Sequence, residues 1–178
     1  MRRLLLGAGV VLPMVFAEIP AQAQVAQSGY ALPLSLAIEA AAEAVRVCES
    51  SGYAVSASVV DPSGVVKLQA KGDHSTIHTR DSSFRKAYTV VTLGPIFRFD
   101  TSSAFATLVA KSPAGQAIAS LPDILPLAGG VAIKAGDEIV AALGVGGAPG
   151  GDKDEACARA GVARIQDRAS AAAAQRAG

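Results

Sequence analysis

Both histidines of the chain, His74 and His78, fall in a stretch of hydroxyl-bearing and basic residues that runs from Gly72 to Thr89. An imidazole in the first turn of a helix can ligate a metal ion or a haem iron. Arg80, Arg85 and Lys86 follow closely enough to neutralise carboxylates such as haem propionates. At about 100° per residue, His78, Ser82, Arg85 and Thr89 share one narrow arc of a helix and form a polar stripe. The plainer reading of the same stripe is a solvated face with an incidental histidine. His74 and His78, four residues apart, would clip a divalent ion if both were helical. Asp73, Ser75 and Thr76 have the character of N-cap residues, so His74 is expected to precede the helix.

Other candidate motifs carry less. The glycine-rich run Gly144 to Gly151 lies between a strand and a helix, but Pro149 replaces the third glycine of a dinucleotide fingerprint. Asp152, Asp154 and Glu155 crowd the following helix N-terminus, where they answer its positive end and repel a phosphate. Asp152-Lys153-Asp154 reads as a capping cluster, without the spacing of an EF-hand. Neither a nucleophile elbow nor a zincin helix occurs. The chain has no C-x-x-C-H motif, and its two methionines are Met1 and Met14. Any haem is therefore expected to be noncovalent, without methionine ligation in a processed chain.

Periodicity supplies the elements that hold these residues. Leu34, Ile38, Ala41, Val45 and Cys48 recur at helical spacing, and Ser50-Ser51-Gly52 ends that helix. Residues 53–61 and 65–70 alternate around Pro62-Ser63-Gly64, a hairpin pattern. A helix is expected over 75–93, with Ile77, Phe84, Tyr88 and Val91 on its apolar face and Gly94-Pro95 as its stop. Short helices over 101–110 and 114–119 precede a second hairpin, 131–134 with 138–143. A last helix covers 154–166, and an alanine-rich tail frays from Ala169. Two hairpins separated by helices do not alternate as a parallel sheet requires, so the class is α+β with an antiparallel sheet.

The opening residues predict export. Arg2 and Arg3, an apolar run from Leu4 to Ala17, and Ala21-Gln22-Ala23 make a secretory signal peptide with a cleavage site. That run is too short to span a bilayer, and no later segment is long and apolar enough, so a protein not embedded in the membrane is expected. Of 178 residues, 155 remain after Ala23: a linker over 24–33, one domain over 34–168 and the tail over 169–178. Loss of Arg2, Arg3 and Glu18 reduces 16 basic and 15 acidic residues to 14 of each, a neutrality that argues against nucleic acid as a partner. Cys48 and Cys157 match no metal motif. They are either two small buried residues or a bridge between the first and last helices.

The order of short motifs is similar to that of the GlcG/HbpS-like haem-binding family from Leu34 to about Ile165. The matching pieces are Val59-Val60-Asp61-Pro62-Ser63-Gly64; His78-Thr79 with Ser82 and Lys86-Ala87-Tyr88-Thr89; Leu127-Ala128-Gly129-Gly130-Val131-Ala132-Ile133; Leu143-Gly144-Val145-Gly146-Gly147; and Asp154 to Gly161. The resemblance implies a profilin-like fold, an antiparallel sheet flanked by helices, and assembly into a homo-oligomer. It also implies haem as ligand, with His78 on the iron and Ser82, Arg85, Lys86, Thr89 and Arg80 around it. Two departures stand out: Gly146 replaces the serine of the family's Gly-Val-Ser-Gly, and residues 95–101 are aromatic and irregular. Three functions follow as expectations: haem storage, scavenging or sensing; haem degradation; or an accessory role toward a small molecule or partner without haem.

Overall fold

The computed structural model describes residue 25 and residues 27–177, so the expected signal peptide, residues 1–23, lies outside the described residues. Helix α1 (Leu34–Ser50) leads into strands β1 (Ser56–Val60) and β2 (Val66–Lys71). Helices α2 (His78–Phe97), α3 (Ser102–Lys111) and α4 (Gly115–Ala119) follow, then β3 (Gly130–Ala135), β4 (Glu138–Gly146) and α5 (Gly151–Ala177). Both expected hairpins form. They join through β1 and β4 into one antiparallel sheet of order β2-β1-β4-β3, flanked by helices as the α+β reading requires.

Alternation along the strands divides the core. Ala57, Val59, Leu143 and Val145 point to a layer made by α1 and α5, whereas Val60, Ala132 and Ala142 point to one made by α2 and α3. Both helix layers lie close to their partners, and small residues make this possible. The buried face of α1 is Ala37, Ala40, Ala41, Ala44 and Cys48 with Leu36, while the expected core residues Leu34 and Ile38 are exposed. A Cβ on Gly161 of α5 would overlap the Ala40 carbonyl oxygen and come within 3.0 Å of Ala44 Cβ, so α1 and α5 meet without large side chains between them.

Helix α2 departs from expectation in the same way. Its buried face is Thr79, Ser83, Lys86, Ala87, Val90, Val91 and Gly94, while Ile77 is 79% exposed and Phe84 and Tyr88 are half-buried. A Cβ on Gly144 of β4 would overlap the Ser83 carbonyl oxygen and lie 2.7 Å from the Ala87 nitrogen. Hydroxyl pairs stitch this approach: Ser56 Oγ lies 2.8 Å from Thr79 Oγ1, and Ser58 Oγ lies 2.8 Å from Ser83 Oγ. Buried hydroxyls need such partners, and here they supply one another.

Several boundaries move. Helix α2 begins at His78, after a turn in which His74 takes a left-handed backbone. It continues through Gly94-Pro95 to Phe97 and stops at Arg98, whose N–H donates to the Gly94 carbonyl at 2.7 Å. Pro95 removes one backbone donor near the helix end, a smaller loss than in mid-helix. Helix α5 starts at Gly151 and runs to Ala177, because Ala169 is buried and Ala172 and Ala173 pack on the α1–α5 core. The expected tail is thus an extension of the last helix. The expected linker also contributes to the core, through Tyr30 and Leu32.

Of the two readings for the cysteines, the bridge is present. Cys48 and Cys157 form a disulfide that ties α1 to α5 across 109 residues. Closing so long a loop restricts the unfolded chain, so the paired substitution Cys48→Ala with Cys157→Ala is expected to remove about 2–5 kcal/mol of unfolding free energy. Urea denaturation of the oxidised parent and the variant is the measurement, and coincident midpoints would refute it.

Candidate functional site

Of the six residues expected to surround a ligand, three lie at the open end of α2. His78 is the first residue of the helix and is exposed, with its Nδ1 3.0 Å from Thr76 Oγ1. Arg80 is exposed, and its Nε donates to Asp81 at 3.2 Å. Ser82 is half-buried; its hydroxyl donates to the Thr79 carbonyl at 3.3 Å and sits where a side chain on residue 146 would begin. Gly146 in place of the expected serine is what leaves room for it. His74 does not pair with His78 across a helix turn, since it lies outside α2. Among the described residues no group of three or more histidines, cysteines or carboxylates is placed to hold a metal ion.

Farther along, the polar stripe closes over. Arg85 is half-buried and donates from Nη2 to the Ile124 carbonyl at 2.9 Å. Thr89 is fully buried; its hydroxyl donates to the Arg85 carbonyl and accepts from the Leu125 N–H, both at 2.8 Å. These two residues hold the 121–127 segment against α2; Thr89 is closed to a ligand, against the sequence reading, whereas Arg85 keeps part of its surface open.

Lys86 lies deeper still, 1% exposed, on the sheet side of the helix. Its Nζ donates to Asp154 Oδ2 at 2.6 Å and to the Val145 carbonyl at 3.0 Å. Asp154 Oδ1 in turn accepts from the Ala148 N–H at 2.9 Å. Lys86 is therefore a buried partner of α5 rather than a surface cation for propionates. Burial pushes the Asp154 carboxyl above its usual 3.8, against the pull of Lys86 and of the backbone N–H groups of Ala148 and Gly147. The folded chain holds this proton at a pH where the unfolded chain has released it. The group's contribution to stability accordingly falls as pH rises from 3.8 through the raised folded value.

Residues 32–163 match the family model described as haem degrading protein HbpS-like. The chain belongs to the HbpS-like family. The crystal structure of HbpS superposes with a TM-score of 0.69 at 35% identity, covering 82% of this chain and 97% of that one. A double mutant of Streptomyces reticuli HbpS gives 0.69 at 37% identity, covering 83% and 96%. The crystal structure of a PduOC:heme complex shares the fold at 18% identity, with a TM-score of 0.66 over 76% of this chain and 96% of that one. No curated protein sequence matches the chain.

Within this HbpS-like domain, sequence reasoning placed Asp154 in a capping cluster and missed its bond to Lys86. The acidic residue does lie in the first turn of α5, but its ammonium partner is 68 positions away and leaves no local signature. Removing either member strands the other in the interior. Lys86→Met or Asp154→Asn alone is therefore expected to cost about 3–5 kcal/mol, while Lys86→Met combined with Asp154→Leu regains most of that loss. Chemical denaturation of the four proteins checks this, and a double variant less stable than both singles would refute it.

Proposed function

We propose that this chain is an exported protein that binds haem noncovalently, with His78 as the iron ligand. The observation that carries the reading is the exposed His78 ring with Nδ1 at 3.0 Å from Thr76 Oγ1. In the tautomer where Nδ1–H donates to that hydroxyl, Nε2 keeps its lone pair and is directed by a partner behind it. This is how proteins prepare an imidazole for a metal. Ile77 beside it offers an exposed apolar side chain to a porphyrin face, and Arg80 offers a guanidinium to a propionate. Ser82 borders the same end of the helix.

Bound haem would supply the iron and its redox chemistry, whereas the residues of this chain hold and orient it. Membership of a family described as haem-degrading and HbpS-like, and the PduOC:heme complex with the same fold, support haem as the ligand. Export is supported by the opening residues Met1 to Ala23 and by the Cys48–Cys157 disulfide, which suits an oxidising compartment. No helix among the described residues is long and apolar enough to cross a membrane. Assembly into a homo-oligomer belongs to the same reading, with exposed Ile77, Leu121 and Leu127 available for contact.

The test is a haemin titration of the protein lacking residues 1–23, followed by absorbance. We expect saturable uptake with a shifted band that His78→Ala abolishes, and a loss of about 10- to 100-fold in affinity for Thr76→Val, which removes the hydroxyl behind the ring. An unchanged band and affinity in His78→Ala would remove His78 from the iron.

A further inference from the structure

The opposite end of α2 carries a different feature, about 30 Å from His78 along a helix of 20 residues. A cavity of about 610 Å³ opens there between the helix C-terminus, the turns of both hairpins, and Val25 and Gln27. Val91, Pro95, Ile139 and Pro62 give it apolar walls. That volume falls within the range of about 300–1,000 Å³ typical of small-molecule sites, which combine such walls with a few polar anchors.

Five charged residues line the cavity, and they are not equivalent. Lys134 pairs with Asp100 at 3.3 Å, and Glu138 Oε1 accepts the Ser28 N–H at 3.0 Å. Arg98 and Asp137 are exposed, opposite in charge, and have no side-chain partner among the described residues. Arg98 also occupies the left-handed position that ends α2, at φ 58°. Glycine is the residue that ends helices there without steric cost, so an arginine is held in an unfavourable backbone on the cavity wall.

We propose that this cavity binds a short zwitterion with an apolar body, of about the size of a dipeptide, its carboxylate on Arg98 and its ammonium on Asp137. A simple anion answers Arg98 but meets the carboxylates of Asp137 and Glu138, and a simple cation answers those and leaves Arg98 opposed. A molecule with both charges satisfies the two unpaired groups at once, while its apolar body covers Val91, Pro95 and Ile139. Opposite charges matched in this way give specificity as well as attraction. The site is independent of haem binding at the other end of the helix.

Calorimetric titration of the haem-free protein with leucyl-leucine tests the assignment, with leucyl-leucine amide as the cation-only control and N-acetyl-leucyl-leucine as the anion-only control. We expect saturable binding of the free dipeptide and at least tenfold weaker binding of each control. Arg98→Gly suits the left-handed backbone and preserves the fold; it and Asp137→Asn should each weaken leucyl-leucine at least tenfold, whereas His78→Ala should leave it unchanged. Absence of leucyl-leucine binding, a control that binds as well as the zwitterion, or full affinity in Arg98→Gly would each overturn the proposal.

Discussion

A lysine ammonium in a protein interior survives only where its charge is answered at close range, and Lys86 is answered by two elements at once. Asp154 reaches it from α5 and the Val145 carbonyl from β4, while Lys86 itself belongs to α2. The contact thus fixes the two helix layers relative to the sheet between them. Gly129 and Gly130 make way for it: a Cβ on Gly129 would stand 2.8 Å from both Lys86 Cδ and Nζ, and one on Gly130 would overlap the Lys86 carbonyl oxygen. Breaking such a pair costs more than forming it gains, because the surviving charge is left desolvated. Its main effect is therefore on the uniqueness of the arrangement. With α2 pinned in this way, the start of that helix, and with it His78, has a defined position.

Around this contact the packing follows one rule, close approach through small residues. Alanines of α1 meet Gly161 and Ala158 of α5, and Ser83 and Ala87 of α2 meet Gly144 of β4. Larger side chains would push the layers apart and lengthen the reach that Lys86 must span. The Cys48–Cys157 disulfide enforces the same closeness on the other side of the sheet, with Cα atoms 5.6 Å apart. Interiors packed this tightly respond sharply to added volume.

These features explain what could be read from the sequence and what could not. Hairpins and helices were legible because turn residues and hydrophobic periods are local. The buried helix faces were misjudged because Leu34, Ile38 and Ile77 outweigh alanine and serine in any hydrophobic pattern, whereas the fold selects for thinness. His78 and Arg80 stayed where their types suggested, on the open first turns of α2. Arg85 and Thr89 share the stripe of His78, but the 121–127 segment, some 36–39 positions away, folds over that part of the helix. Lys86 was placed beside the ligand's carboxylates because nothing in its neighbours announces a carboxylate on α5. Contacts across such separations are set by topology and have no local period to detect.

The segment before α1 gives the molecule a direction. Ser28 is tied to Glu138 at the start of β4, Tyr30 and Leu32 are sunk into the core, and Val25 and Gln27 border the cavity at the C-terminal end of α2. Val25, where the described chain begins, therefore lies at that end of the molecule. The histidine at the start of α2 occupies the far pole of the same helix axis. A tether or surface held at Val25 would present His78 outward, away from the attachment point, while crowding the mouth of the cavity at the near pole.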